Sequence, residues 1–331
     1  MESFSENSEN TPSKIIFRNQ PKLSGHEADK KYDERREALI SEIESFVSSD
    51  ELFEGKEVSI EFSHNGVSSL VAFIETGDEK FVLKIPLSLS GNEGEGEFLR
   101  AWEEVGVKVP HVVKEGNLGA HSYLLMDYID APTLSEAVKD GLVKEDTAFK
   151  EGQILRKMHT TKAEGYGLMS DGKPEYETFK EWLFSEEITK MIEVVQENNL
   201  LGDEHGPIKK ALEVLIDYVG MNPESTYCHF DYGSSNMLAT EPLTVIDPDP
   251  IFNNGIIDIG RSILLTASGG HAEAAERLKE GYFEDSDIDT KALQAAIILN
   301  AYLKIAYWHK KGKIKSVKNV QKYLAETSGL L

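Results

Sequence analysis

The run Cys228-His229-Phe230-Asp231-Tyr232-Gly233-Ser234-Ser235-Asn236, followed by Leu243-Thr244-Val245-Ile246-Asp247, concentrates residue types suited to metal-assisted group transfer. Strand arithmetic gives it a geometry. If Glu241-Pro242 is a two-residue turn between antiparallel strands, Thr240 faces Leu243, and counting back pairs Leu238 with Val245, Met237 with Ile246 and Asn236 with Asp247. Opposed residues lie about 5 Å apart at their α-carbons, so an amide oxygen and a carboxylate converge at the open end of the hairpin. Two hard oxygen donors suit magnesium, which completes its octahedron with water and phosphate oxygens. Asp231, five residues before Asn236, stands where it could accept the proton of an attacking hydroxyl. The apolar flanks place these carboxylates at a core edge, where an unpaired charge is costly. Taken alone, Asp-Tyr-Gly-Ser-Ser-Asn is also an ordinary loop composition.

A second chemical signal lies upstream. In Phe81-Val82-Leu83-Lys84-Ile85, alternation puts Lys84 on the face of Val82, and a cation on an apolar strand invites an anionic partner. The helix after it carries Glu93, Glu95 and Glu97. Glu95 shares a helical face with Leu99 and Trp102 and is the chosen partner, although a shifted helix start would select Glu93 or Glu97. Before the lysine strand, His64-Asn65-Gly66-Val67-Ser68-Ser69 reads either as a plain hairpin turn or as a loop whose amides and Ser68 and Ser69 hydroxyls cover phosphates.

The elements that must position these groups follow from periodicity. Residues 1–30 are polar and aperiodic and read as a disordered or mobile tail. Apolar spacing predicts a helix over 33–47, strands at 58–62, 70–76 and 80–85, a helix at 94–105 and a strand at 122–128. Beyond Pro132 helical spacing dominates, strand character returning only around 237–246. The expected organisation is a sheet-rich N-terminal lobe over 31–131, ending in a connector, and a larger helical lobe over 132–331. The fold class is α+β, two-lobed.

Composition bounds the function. The chain has 331 residues, 35 Lys plus Arg against 58 Asp plus Glu, and a net charge of −23. That balance disfavours nucleic acid and anionic membranes. One cysteine allows no internal disulfide and fits a reducing cytoplasm, and the first ten residues lack the pattern of a secretory signal. The most apolar stretch, 293–308, is interrupted by Gln294, Asn300 and Lys304, and reads as a buried helix rather than a membrane span. Residues 301–331 carry seven lysines against Glu326, a local +6 that suits a solvated helix face. No G-x-x-x-x-G-K-[ST] occurs, which disfavours a P-loop enzyme. Asp-Phe-Gly and Ala-Pro-Glu are missing as well, and only ten residues separate Asp247 from Asp258, too few for a protein kinase activation segment.

His229-Phe230-Asp231 with Asn236, then Ile246-Asp247 and Asp258, resembles the signature of the aminoglycoside phosphotransferase and choline kinase-like family, with Phe230 where that family usually has glycine. The resemblance covers about residues 50–310. It implies a bilobal protein kinase-like fold with a small antiparallel-sheet N-lobe and a larger, mainly helical C-lobe. It implies Asp231 and His229 as catalytic-loop residues, Asp231 steering or deprotonating the acceptor hydroxyl and His229 and Asp258 bracing the loop. Asn236 and Asp247 would hold Mg2+, Lys84 would grip the nucleotide phosphates with Glu95 as its partner, and the backbone of Asp127 and Ile129 would hydrogen-bond adenine. ATP, or GTP, is the implied phosphate donor. The implied acceptor is a small-molecule hydroxyl, foremost an aminoglycoside or related aminocyclitol as in antibiotic resistance, with choline, another amino alcohol or a sugar as alternatives. Between 171 and 204 there are ten acids and three lysines, a net of −7 that would attract a polycation or simply solvate helices. Gly165-Tyr166-Gly167 with Trp182 further resembles hygromycin-type phosphotransferases. The alternative of another class is a nucleotide-binding pseudokinase, whose usual mark is loss of one of Lys84, Asp231, Asn236 or Asp247; all four are filled.

Overall fold

Alternating apolar residues produce the first sheet. In the computed structural model, which describes residues 13–22, 30–64, 68–87, 94–143, 146–170, 172–201 and 206–327, the chain divides into two units. The first comprises Met1–Gly96 and Pro110–Asp130, the second Glu97–Val109 and Ala131–Leu331.

The first unit carries β1 (Lys14–Phe17), α1 (Lys30–Ala38), α2 (Ile40–Ser49), β2 (Glu57–Phe62), β3 (Ser69–Thr76) and β4 (Glu79–Pro86). Helix α3 (Glu95–Glu104) begins there, and β5 (Val112–Leu118) and β6 (His121–Asp127) complete the sheet. Strand order is β1-β2-β3-β4-β6-β5, with β1 parallel to β2 and the rest antiparallel. Ile43, Phe46 and Val47 of α2 close one face over Phe53, Ile60, Ile74 and Leu83. Each such side chain, fully buried, contributes roughly 1.5–3 kcal/mol.

Three expectations need correction here. The polar stretch over 1–30 contains an ordered strand, because Lys-Ile-Ile-Phe is just long enough to add to the edge of β2. Residues 1–12 and 23–29 lie outside the described residues. The helix over 33–47 is two helices meeting at Leu39, whose amide bonds three residues back to Arg36 and tightens the last turn of α1. The boundary at 131 also fails to divide the units cleanly. Phe98 and Trp102 of α3 pack against Tyr227, Phe252 and His229, so Glu97–Val109 belongs with the second unit.

The second unit contains α4 (Leu134–Lys139), α5 (Thr147–Met158), β7 (Lys162–Ala163), β8 (Tyr166–Ser170), β9 (Lys173–Tyr176), α6 (Phe179–Leu183), α7 (Glu186–Glu197) and α8 (Gly206–Met221). Then come β10 (Ser225–Cys228), β11 (Met237–Leu238), β12 (Thr244–Val245), β13 (Ile251–Asn253), α9 (Gly255–Ser268), α10 (Ala272–Tyr282), α11 (Thr290–Lys310) and α12 (Ile314–Thr327). Strand character is therefore not confined to 237–246: a five-stranded sheet, β7-β10-β13-β8-β9, accompanies the β11-β12 pair. Strands of two to five residues are too short for alternation to show. Helix α11 is buried along 292–306, as its composition requires, and no helix among the described residues is long and apolar enough to cross a membrane.

Glycines set the approach of α5 to α10. A Cβ on Gly152 would collide with the Leu278 carbonyl and one on Gly281 with the Phe149 carbonyl, so the two backbones meet directly. That approach brings His159, which caps α5, to the Tyr282 hydroxyl at 2.7 Å.

Candidate active site

Strand β10 delivers the chain to a loop organised by one buried carboxylate. Asp258, in the first turn of α9, accepts the His229 amide at 2.8 Å, the Phe230 amide at 3.0 Å and His159 Nε2 at 3.1 Å. It is 0 % exposed. Burial pushes its carboxyl up, but the His159 hydrogen bond, the His159 and His229 rings and the His229 amide outweigh this and hold it below the usual range. Cys228 Sγ, His159 and Asp258 lie within 4.8 Å of one another, the spacing of a three-ligand metal set. Their polar atoms are already used: the thiol donates to Asn253 O at 3.5 Å, and both Asp258 oxygens accept protein donors. The cluster is a hydrogen-bonded knot that ties α5, β10 and α9 together.

His229 is fully buried and stacks on Trp102 with ring centroids 5.8 Å apart. Its Nε2 donates to Ile246 O at 3.0 Å, and its Nδ1 accepts the Asp231 amide at 3.3 Å. Burial lowers its pKa, so the ring is neutral and spans the loop and the strand end before Asp247.

Asp231 follows with its carboxylate gripped at both oxygens. Asn236 Nδ2 donates to Oδ2 at 3.0 Å, and Lys304 Nζ stands 3.4 Å from Oδ1. Burial raises the Asp231 pKa, but the charges of Lys304 and Arg261 and the Asn236 hydrogen bond bring it below the ordinary value. The side chain nevertheless stays 46 % exposed, open to a reacting partner. The Asn236 amide nitrogen also donates to Asp231 O at 2.8 Å, so both of its contacts with Asp231 are made through nitrogen.

The hairpin register differs from the expected one by a residue. Met237 pairs with Val245 and Leu238 with Thr244, and Asn236 O accepts the Ile246 amide at 3.0 Å. The connection holds three residues, 240–242, because the Thr240 hydroxyl donates to Pro242 O at 2.6 Å and meets Thr244 Oγ1 at 2.8 Å. Asp247 is thus one residue beyond the position opposite Asn236. It is exposed and adopts φ +54, a left-handed conformation that Asp tolerates.

In the first unit, Lys84 Nζ meets Glu95 Oε2 at 2.6 Å, with both side chains buried. Glu97 instead accepts the Tyr227 hydroxyl at 2.9 Å, and Glu93 lies outside the described residues. Asp127 ends β6 with its amide donating to His111 O at 3.0 Å, and Ile129 follows two residues on. Ser68 precedes β3, its carbonyl accepting the Leu87 amide at 2.9 Å, while residues 65–67 lie outside the described residues. Ser69 is a correction: it is the first residue of β3 and buried, and Arg36 Nη2 donates to its carbonyl at 2.7 Å, so its hydroxyl is not presented on a loop. Tyr166 and Trp182 are buried with Phe179 between them, and serve the core.

Sequence reasoning passed over Lys304 and Arg261. Lys304 is the one cation within the buried stretch 292–306 of α11, and Arg261 sits in a buried run of α9, three residues after Asp258. A charge inside an apolar helix was the signal for both.

The Phosphotransferase enzyme family model matches residues 59–290. The chain belongs to this family. It is accordingly a small-molecule kinase, of a family that uses ATP with Mg2+. No curated protein matches it in sequence. Among solved structures it is similar to aminoglycoside phosphotransferase APH(4)-Ia in ternary complex with AMP-PNP and hygromycin B, at 16 % identity and TM-score 0.59, covering 80 % of this chain and 90 % of that one. It is also similar to a putative fructosamine-3-kinase from Haemophilus somnus 129PT, at 17 % identity and TM-score 0.55, covering 81 % and 90 %. A third similarity is to the streptomycin-ATP complex of APH(2")-IIa, at 17 % identity and TM-score 0.50, covering 80 % and 90 %. These likenesses carry the kinase-like fold.

Membership in the phosphotransferase family gives Phe230 a meaning. Its φ of +59 lies where glycine sits freely and where another residue gives up roughly 1–2 kcal/mol. Here the Arg261 guanidinium covers the ring at 3.9 Å from its centroid. Losing a buried aromatic side chain costs about 3–5 kcal/mol, more than the strain relieved. Phe230→Gly is therefore expected to destabilise the protein by about 2 kcal/mol, read as a lower urea midpoint; an unchanged or raised midpoint contradicts it.

Proposed function

We propose that the chain transfers the γ-phosphate of ATP to a hydroxyl of a small molecule, with an aminoglycoside or related aminocyclitol as the leading acceptor class. The observation that carries this reading is the Asp231 carboxylate, exposed on one side and fixed through Asn236 on the other. The acceptor oxygen attacks the γ-phosphorus, the bond to the β-phosphate oxygen breaks, and the hydroxyl proton passes to Asp231 while ADP leaves. Asp231 is held below its ordinary pKa and is a weak base, so the proton leaves late and positioning carries most of the catalysis. Lys84, kept in place by Glu95, would take the nucleotide phosphates. Asn236 and Asp247 fit magnesium: both present hard oxygens, and the Asn236 nitrogen is occupied by Asp231. Bound there, magnesium would neutralise charge on the phosphate oxygens.

Exposed acids on α7 support a cationic acceptor in the aminoglycoside reading, which would make the reaction one of antibiotic resistance. Some acids of this region already have local partners: Glu181 closes a capping box with Thr178, and Glu186 pairs with Lys190. Abundant ATP and a reduced lone cysteine fit a cytoplasmic setting. Purified protein incubated with magnesium-ATP and a library of hydroxylated amines, polyols and sugars, analysed by mass spectrometry, tests the reading; a library left without a phosphorylated product defeats it. Asp247→Ala is expected to weaken AMP-PNP binding at least about tenfold in the presence of magnesium and to leave magnesium-free binding unchanged. Calorimetry that returns identical isotherms removes Asp247 from the metal site.

A further inference from the structure

Lys304 approaches Asp231 from the middle of α11, within a stretch buried from Ala292 to Ala306, and is itself 8 % exposed. Arg261 of α9 bears on the same carboxylate, so Asp231 faces two cations from inside the protein. The groups around the lysine are Asp231, Asp249 and Arg261, with the rings of Tyr307 and Trp308 at 5.9 and 5.8 Å from its nitrogen. Tyr307 is 43 % exposed, an aromatic face beside the base. Burial, then Arg261, lower the lysine's pKa to about 8 against the opposing pull of Asp231 and Asp249, so at neutral pH it is an ammonium.

We propose that Lys304 is a specificity-determining residue of the acceptor site: its ammonium stands beside Asp231 where an amine adjacent to the reacting hydroxyl would have to sit. The inference rests on reading Asp231 as the receiver of the hydroxyl proton. The chemical class it defines is a hydroxyl whose neighbouring carbons carry oxygen rather than ammonium nitrogen, as in a vicinal diol or polyol ring. Two features act together. The Asp231 charge is already compensated and pulls weakly on a further cation, and a like charge brought near Lys304 in a partly desolvated site is repelled. Amines elsewhere on the acceptor remain compatible, since only one next to the reacting hydroxyl is brought against Lys304.

The test runs wild type, Lys304→Met, Lys304→Arg and Asp231→Asn with magnesium-ATP against matched probes in which the amino alcohol has a single hydroxyl, next to its amine: ethylene glycol with ethanolamine, 1,2-cyclohexanediol with 2-aminocyclohexanol, and a set of inositols and aminoglycosides. Wild type is expected to phosphorylate hydroxyls flanked by oxygen. Lys304→Met is expected to raise the ratio of kcat/KM for amino alcohol over diol at least tenfold, and Lys304→Arg to keep the wild-type ratio. An unmoved ratio in Lys304→Met, or wild-type transfer to an ammonium-flanked hydroxyl as efficient as to its diol partner, overturns the proposal. The two readings fail differently. Undiminished turnover in Asp231→Asn, or no product from any probe with wild type, removes the reading of Asp231, whereas lost turnover there with an unmoved ratio removes only Lys304. Should Lys304→Met fail to fold, Lys304→Gln replaces it, and the wild-type product spectrum decides the issue alone.

Discussion

Asp231→Asn is expected to slow phosphoryl transfer by about a thousandfold while leaving affinity for magnesium and nucleotide within a few-fold. The substitution keeps the side chain's shape and an oxygen for the Asn236 amide, so the loop has no reason to rearrange. It removes the oxygen that takes the proton and the negative charge that orients an incoming hydroxyl. It also strips Lys304 and Arg261 of a shared counter-charge, which lowers the Lys304 pKa further below about 8. Steady-state rates on the acceptor returned by the library, beside AMP-PNP titration of the same variant, supply the check. Transfer within tenfold of wild type would take the proton-accepting role away from Asp231.

A loss of stability on the order of 3 kcal/mol is expected for Asp258→Asn, although this residue meets no substrate in the proposed reaction. Three donors converge on the two carboxylate oxygens in a position closed to water, and an amide in their place turns an NH2 group toward one or more of them. The pH dependence has a definite sign. The folded-state pKa lies below the unfolded value, so the unfolded chain binds more protons in acid; the stabilisation is complete above the unfolded pKa and lost as pH falls through the folded one. The window is therefore below about pH 4. Urea unfolding of the second unit's tryptophans at pH 7 and at about pH 3, inside that window, measures both effects. Equal midpoints for variant and wild type at pH 7 would mean that the carboxylate's charge is not what holds the loop.

The first unit's sheet was legible because β2, β3 and β4 are six to eight residues long, enough for alternation to show which face is buried. The parts missed share a physical cause. Strand β1 and the sheet around β10 and β13 comprise strands of two to five residues, whose place is set by partners distant in sequence. Helix α3 carries Glu95 toward Lys84 and, one turn later, Phe98 toward Tyr227; periodicity identifies such a helix but assigns it to no single unit. In the site, types and spacing drew attention to Asp231, Asn236 and Asp247, and strand arithmetic brought Asn236 and Asp247 close but one residue out of register. That count was lost to a hydroxyl, since Thr240 closing on Pro242 lengthens the turn and no pattern of apolar residues records it. Lys304 and His159 escaped because each acts through a contact more than seventy residues away in the chain.

Cys228 gives this molecule an internal gauge. It is the chain's single cysteine, fully buried in β10 and bonded to Asn253 O of β13, and burial pushes its thiol pKa well up. A sulfur kept this way ignores alkylating reagents until β10 and β13 part. The speed of its labelling thus counts openings of the segment that leads directly into Asp231, with no engineered probe and no competing thiol.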